Sequence, residues 1–266
     1  MAEAMTSCLE AYLRDSEDAK DALADAEDPR GFVAQLLLIN NESDVTEAPS
    51  DPYACQVAQI LTLWAETRHH PLQEQPAAIE GVTELTETRD HVLSVPLEAV
   101  QKLLRTCTEP TTSTQEKNGE LSAFFRCVGG ARGVLALLGH RFTVGSRTLC
   151  PLTRSQCITA FTQSHGREKL TVGARAFTKH CQRSSDGWWG AIKGNDAAKN
   201  ATALAKLLEI LDHAVWKNVH SLPHGEATFE VRNAMGYGAR WYLRDLSFRG
   251  FLEPPMENGH ENRWRH

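Results

Sequence analysis

The sequence has no long apolar run, and this absence argues against a membrane-spanning helix. A helix needs roughly 20 apolar residues to cross a bilayer, whereas runs such as residues 134–138 are far shorter. The N-terminal residues also lack a basic segment followed by an apolar one, so no secretory signal is expected. We therefore expect a soluble protein with no membrane partner.

The cysteine pattern lacks the features of a disulfide framework. The chain has seven cysteines, an odd number, at wide spacing and without a C-x-x-C pair. That usage is typical of reduced thiols in a reducing compartment. The predicted location is therefore cytoplasmic or nuclear.

Well-known motifs of catalysis and cofactor binding are missing as well. There is no G-x-S-x-G, no G-x-x-x-x-G-K, no G-x-G-x-x-G and no H-E-x-x-H. His213, His220 and His224 include a spacing that zinc sites use, but Pro223 interrupts the pattern. The sequence predicts no cofactor and no metal site, and it does not decide whether the protein is an enzyme.

Charge is distributed unevenly along the chain. The net charge is −6, from 28 basic and 34 acidic residues. Residues 1–120 contain 8 Lys and Arg against 23 Asp and Glu, and the remaining residues contain 20 against 11. The basic half indicates an anionic ligand, with nucleic acid as one candidate, and the acidic helices indicate a protein partner. Two differently solvated surfaces would give the same asymmetry.

The same division predicts the domain organisation. Residues 1–107 show helical spacing and form an acidic helical region. Residues 108–119 are polar and Thr-rich, which is typical of a loop or linker. Residues 120–266 then form a basic α+β domain.

The hydrophobic period predicts how this basic domain is built, and gives an α+β fold class. Its clearest helix begins at Asn195 or Asp196 and continues to Val215. After Pro223 the period changes from 3.6 to 2, which predicts three short strands. The connections are short, so we expect a C-terminal antiparallel meander packed on the long helix.

Three arginines recur on the predicted strands: Arg232, Arg240 and Arg249. Alternate residues of a strand share a face, so neighbouring strands can each present a guanidinium to one side. The guanidinium fork suits phosphate and carboxylate groups, and these arginines are predicted to bind an anionic ligand. In the alternative interpretation, Glu230 and Glu253 pair with them across the strands and the ladder binds nothing.

Aromatic side chains accompany the basic residues. Trp188 and Trp189 lie in a Gly- and Ser-containing loop, and Trp241 and Tyr242 follow Arg240 on its predicted strand. Exposed aromatic rings can stack on nucleic-acid bases, so these four residues are predicted to bind the ligand. For Trp188 and Trp189 the alternative is packing in the core.

His220 and His224 lie between the long helix and the predicted strands. Imidazoles titrate near neutral pH, so both are predicted as acid and base groups if the protein is an enzyme. Loop histidines with satisfied hydrogen bonds are the alternative interpretation.

Together these patterns favour binding, and in an enzyme processing, of a phosphate-bearing ligand that is either nucleic acid or nucleotide. Two alternatives stay open. One is a protein-interaction adaptor without a small ligand, and the other is a small hydrolase or transferase acting on an anionic substrate. Salt-sensitive binding would support the first hypothesis, and a closed pocket lined by Arg, His and Glu would support the last.

Overall fold

The protein has the α+β architecture that the sequence predicts. A computed structural model describes residues 1–38, 52–164, 169–183, 187–221 and 225–255. Helices precede an antiparallel sheet of four strands near the C-terminus. The α-helices are α1 (Ala2–Asp15), α2 (Glu17–Ala22), α3 (Pro29–Leu36), α4 (Tyr53–Thr67), α5 (Glu87–Leu93), α6 (Leu97–Thr108), α7 (Thr114–Cys127), α8 (Gly130–Leu137), α9 (Arg154–Thr162), α10 (Val172–Arg183) and α11 (Asp196–Asp212). A 3-10 turn spans Gly187–Trp189, and the strands are β1 (Ala214–Ser221), β2 (Ala227–Asn233), β3 (Gly238–Tyr242) and β4 (Phe248–Leu252).

The chain divides into two compact units. The first unit contains Met1–Gln75, Leu85–Phe142 and Arg147–Cys150, and the second contains Pro76–Glu84, Thr143–Ser146 and Pro151–His266. Residues 108–119 lie within the first unit. Helix α7 begins inside that range because Ser113 and Glu116 form a capping box. The proposed separation of an acidic and a basic domain at residues 108–119 stays a prediction.

Helices α1 to α8 form the first unit around an apolar core. Helix α1 contacts α4, α6 and α7, and the fully buried side chains include Leu9, Leu61 and Leu103. Gly129 separates α7 from α8: it has φ +93°, a conformation that glycine adopts without a steric penalty. In the described part of the chain, no helix is long and apolar enough to cross a membrane.

Local signals start the helices of the second unit. Thr153 and Gln156 form a capping box at the beginning of α9, and the side chain of Asn195 accepts a hydrogen bond from the Ala198 amide at the start of α11. Each cap satisfies a backbone donor that has no partner inside its helix. The predicted beginning of the long helix is therefore confirmed.

The end of the long helix differs from the prediction. Helix α11 ends at Asp212, and the next residues form β1, so Val215 lies in a strand. Its apolar spacing continues the helical stripe of α11, which hides the boundary in the sequence. Antiparallel pairing of β1 with β2, from Ala214 opposite Asn233 to Ser221 opposite Ala227, decides the conformation.

The three predicted strands become β2, β3 and β4, and β1 adds a fourth. The sheet order is β1-β2-β3-β4 with every neighbouring pair antiparallel, which confirms the meander. A one-residue shift between β3 and β4 pairs Arg240 with Gly250 and Trp241 with Phe248, so Arg249 is an extra, bulged residue. This bulge alters which side of β4 its neighbours face.

One side of the sheet packs on helices and is called the apolar face. It carries Phe229, Trp241, Phe248 and Phe251, all buried. Phe161 of α9 meets Phe248 and Phe251 at ring-centroid distances of 4.9 and 5.8 Å. Burying an aromatic side chain of this size contributes about 1.5–3 kcal/mol, so this face anchors the sheet and leaves its other side for polar residues.

Candidate functional site

The opposite side of the sheet carries polar side chains in a row across the strands. The register pairs Asn218 of β1 with Glu230 of β2, and Glu230 with Arg240 of β3. Residues directly opposite each other on antiparallel strands project to the same side. We call the side that carries these three residues the polar face.

Glu230 lies at the centre of a charged group on the polar face. Its Oε1 accepts a hydrogen bond from Arg232 Nε at 2.6 Å. Its Oε2 lies 2.9 Å from an Nη of Arg240 and 3.0 Å from His220 Nε2. We call these four residues the Glu230 cluster. One carboxylate therefore links side chains from three successive strands.

The environment of Glu230 keeps its carboxylate ionised. Only 4% of the side chain is exposed. Burial raises the pKa, but the charges of Arg232 and Arg240 and the hydrogen bond with His220 outweigh it, so the pKa lies well below its usual range. An ionised carboxylate can only accept hydrogen bonds.

This ionisation fixes the roles of the two nitrogens of His220. Because Glu230 can only accept, His220 Nε2 carries the proton of the 3.0 Å hydrogen bond. A neutral imidazole with a protonated Nε2 has its lone pair on Nδ1. His220 is also the most exposed member of the Glu230 cluster, with 19% of its side chain accessible.

Arg232 holds backbone segments together. Its side chain is 5% exposed, and besides Glu230 its Nη1 donates to the carbonyl oxygens of Gly236 and Glu253. These acceptors lie in the β2–β3 turn and directly after β4. With its Nε and Nη1 engaged in this way, the buried guanidinium stabilises the sheet.

The guanidinium of Arg240 makes fewer hydrogen bonds than that of Arg232. Its Nη2 contacts Glu230, but its buried Nε has no hydrogen-bond acceptor among the described residues. Burial lowers its pKa while Glu230 raises it, and an arginine keeps its charge in either case. Within the described ranges, one carboxylate thus faces two guanidinium groups in this cluster, which leaves a positive charge in excess.

Arg249, which is exposed, and Tyr242, which is half-buried, form a pair at the β3–β4 side of the sheet. Arg249 Nε donates to the Tyr242 hydroxyl at 2.7 Å, and its guanidinium carbon lies 5.3 Å from the ring centroid. Tyr242 follows Arg240 by two positions on β3, so both face the same side. The structure thus brings three of the predicted ligand residues, Arg240, Arg249 and Tyr242, onto one part of the sheet.

The three predicted tryptophans lie elsewhere. Trp241 is completely buried on the apolar face, where its Nε1 donates to the Cys157 carbonyl at 3.2 Å. Trp189 is buried, and its Nε1 donates to Glu253 at 2.9 Å. The structure gives both rings packing positions, because neither indole has a free face for a base.

Trp188 is half-buried, and its ring is already engaged. It stacks on Tyr237 at 4.1 Å with an interplanar angle of 4°, and Lys206 Nζ lies 4.0 Å from its centroid. The parallel ring and the ammonium group occupy the faces that a base would use. The alternative interpretation, packing, describes these contacts better than ligand stacking does.

The predicted histidines have different outcomes. His220 lies on β1 within the Glu230 cluster, and not in a loop as its sequence position suggested. His224 lies outside the described residues. No group of three or more His, Cys, Asp and Glu side chains suited to a metal occurs in the described ranges.

The ladder interpretation holds across strands for Arg240, whereas Arg232 pairs with Glu230 within β2. Glu230 pairs with Arg232 and Arg240. Glu253, however, directs its carboxylate to Trp189 and to His180, at 3.0 Å from His180 Nε2. Arg249 has no carboxylate partner in the described part of the chain.

Sequence reasoning missed Asn218 and the extent of Glu230's role. Asn218 is 1% exposed; its Oδ1 accepts from Ser146 Oγ at 2.9 Å, and its Nδ2 donates to Thr143 Oγ1 at 3.2 Å. These bonds hold residues 143–146 against β1. A polar residue between the apolar residues of "AVWKNVHS" was the available signal, but it required recognition of β1 as a strand.

Comparison with known proteins relates this part of the chain to a toxin family. Residues 159–253 match the family model described as the CdiA C-terminal tRNase toxin domain. The matched range contains the whole sheet and every member of the Glu230 cluster. Neither the curated proteins nor the solved structures contain a match to the chain. The match supports nucleic acid as the class of molecule with which this region interacts, in agreement with the excess positive charge.

Proposed function

We propose that the second unit is a ribonuclease that cleaves tRNA on the polar face of its sheet. The observation that carries the proposal is the Glu230 cluster: a histidine, a carboxylate and two arginines in direct contact, within the range similar to a tRNase toxin domain. Cleavage of RNA needs a base, an acid and positive charge at the phosphate. The cluster supplies the first and the third from adjacent strands.

His220 is the proposed base. Its Nδ1 takes the proton from a ribose 2′-hydroxyl, and the resulting 2′-oxygen attacks the adjacent phosphorus. The bond from phosphorus to the 5′-oxygen of the next nucleotide then breaks. The products are a 2′,3′-cyclic phosphate and a 5′-hydroxyl, once the leaving oxygen has taken a proton. His224, selected from the sequence, stays the prediction for that acid.

Glu230 acts through His220. Its lowered pKa makes it a weak base, but its Oε2 fixes the imidazole orientation and stabilises the imidazolium that forms after proton transfer. The same division of roles between carboxylate and imidazole operates in hydrolytic triads. Glu230 is accordingly a positioning residue.

Arg240 is the proposed phosphate ligand. A guanidinium placed where negative charge develops stabilises the transition state electrostatically. Its Nε lacks an acceptor in the described structure, and such a donor can be satisfied by a phosphate oxygen after a small side-chain shift. Arg232 supports this arrangement by holding Glu230 and the surrounding backbone.

The test is cleavage of tRNA by the purified protein and by His220→Gln. We expect the wild type to produce 5′-hydroxyl and cyclic-phosphate ends, and the variant to be slower by about 10²–10⁴-fold, the usual contribution of a general acid or base. His213→Gln is the matched control, because His213 is exposed at the end of α11 and its Nδ1 bonds the Glu209 carbonyl of the same helix. Wild-type rates in His220→Gln, or intact tRNA with the wild type, would contradict the proposal.

Two further expectations from the sequence stay proposals. The acidic helices of the first unit are proposed to bind a protein partner, and the protein is proposed to work in the cytoplasm or nucleus. Co-purification of a stoichiometric partner with Met1–Gln75 and Leu85–Phe142 intact would support the former. Fractionation of the source cells would test the latter.

A further inference from the structure

The half-buried Tyr242 and the exposed Arg249 lie side by side on the β3–β4 side of the sheet. The pair exists because of the β-bulge: Arg249 is the extra residue between Phe248 and Gly250. Bulges redirect side chains and often occur beside functional sites. Here the bulge allows the Arg249 guanidinium to reach the Tyr242 hydroxyl and ring on β3.

The surface next to this pair is open. Gly250 lies opposite Arg240 and has φ +151°, and a side-chain carbon there would meet no heavy atom within 4 Å among the described residues. At this register position, the described part of β4 places no side chain beyond Arg240 on the polar face. A planar group can approach Tyr242 from this side.

Tyr242 also lies at a useful distance from the proposed base. Thr228 of β2 pairs with His220 on one side and with Tyr242 on the other. Strands are spaced about 4.8 Å apart, so two strand intervals separate the His220 and Tyr242 backbones by roughly 10 Å. A nucleotide whose phosphate is at Arg240 and His220 can place its base near Tyr242.

We propose that Tyr242 and Arg249 form a platform on which an unpaired RNA base stacks, beside the phosphate that is cleaved. The inference rests on the proposed function for the identity of the ligand. Bases that are not held in an RNA double helix, as in loops and at ends, stack on aromatic side chains and on arginine guanidinium planes of proteins. The platform thus selects a single-stranded segment of the substrate and excludes a base-paired one.

Binding to an uncleavable RNA tests the platform separately from cleavage. The probe is a short fluorescent 2′-O-methyl RNA, which lacks the attacking hydroxyl, alone or in a duplex with its complement. We expect the single strand to bind more tightly than the duplex, and Tyr242→Leu to weaken the single-strand complex by about 5- to 100-fold, as for the loss of one stacked base. Tyr242→Phe keeps the ring and retains most of the affinity.

The loss of single-strand binding with Arg249→Ala is compared with that of Arg244→Ala, which serves as its matched control. Both arginines are exposed and each substitution removes one charge, but Arg244 pairs with Glu226 in the β3–β4 turn region. We expect a larger loss with Arg249→Ala. Equal single-strand binding by Tyr242→Leu and wild type, or equal wild-type affinity for duplex and single strand, would overturn the platform. Tyr242-dependent binding together with intact tRNA would preserve it and overturn only the cleavage proposal.

Discussion

The two faces of one sheet show different uses of burial. The apolar face buries aromatic rings such as Trp241 and Phe251 against helices α9 and α10. The polar face buries a carboxylate and an arginine almost as deeply, with Glu230 and Arg232 at 4% and 5% side-chain exposure. Burial alone stabilises the rings, whereas buried charges must be compensated by precisely placed partners.

We relate this difference between the two faces to the proposed function of the polar face. Aromatic packing tolerates many arrangements of similar volume, but the Glu230 cluster requires one register between three strands. A buried ion-pair cluster of this kind adds little stability beyond that of well-packed apolar residues in the same place. The chemistry proposed for His220 and Arg240 is the reason we offer for such a cluster on the polar face. Three predictions test the contrast between the faces.

The largest expected effect is on stability when the shared carboxylate is removed. Glu230→Ala leaves two buried guanidinium groups without their counter-charge, and we expect a loss of about 3–5 kcal/mol in the free energy of unfolding. Denaturant titration followed by tryptophan fluorescence measures this free energy. The signal reports mainly on the second unit, because all tryptophans except Trp64 belong to it.

The exposed pair of Glu226 and Arg244 supplies the control for that measurement. Glu226→Ala should cost less than about 1 kcal/mol, as is usual for surface ion pairs. If Glu230→Ala and Glu226→Ala lower the free energy of unfolding equally little, the charges of the polar face do not stabilise the sheet. The contrast between the two faces would then be wrong.

A smaller effect concerns RNA binding by Arg240. Arg240→Ala should reduce the slope of log affinity against log salt concentration by about one, because one phosphate contact and its displaced counterion are lost. Titration of the uncleavable RNA at several salt concentrations gives the slope. Arg244→Ala should leave it unchanged. An unaltered slope in a folded Arg240→Ala protein would make Arg240 a structural residue.

The smallest effect appears only in acid. The pKa of Glu230 is lowered in the folded protein by Arg232, His220 and Arg240, which outweigh burial. Its contribution to stability is therefore complete above the unfolded value of about 4.3 and is lost as the pH falls further. As Glu230 becomes protonated, the stability difference between wild type and Glu230→Gln should narrow below about pH 4.3. A difference that widens in acid would contradict this assignment.

Much of the fold was accessible from local patterns. The cap at Asn195 marked the beginning of α11, and the change of period after Pro223 identified the three strands β2, β3 and β4. The α+β class and the meander follow from these signals. The strand β1 was not accessible, because Val215 continued the helical stripe of α11 and only pairing with β2 distinguishes the two conformations.

The site was accessible in part. Strand alternation placed Arg240 and Tyr242 on one side, and the structure confirms that they share a face. Alternation could not distinguish Arg232, which is buried and bonded to Glu230 and two carbonyls, from Arg249, which is exposed. The roles of Trp188, Trp189 and Trp241 depended on neighbours distant in sequence, such as Glu253 for Trp189, and composition carries no information about such contacts.

By itself, the sequence determined the period of each segment, the helix caps and the concentration of positive charge near the C-terminus, because these depend on neighbouring residues and on covalent order. Only the tertiary structure decided that His220 faces Glu230 and that Arg249 bulges toward Tyr242. Both contacts depend on strand register, and register is fixed by how the apolar face packs on its helices, a property of the whole unit and not of any one segment.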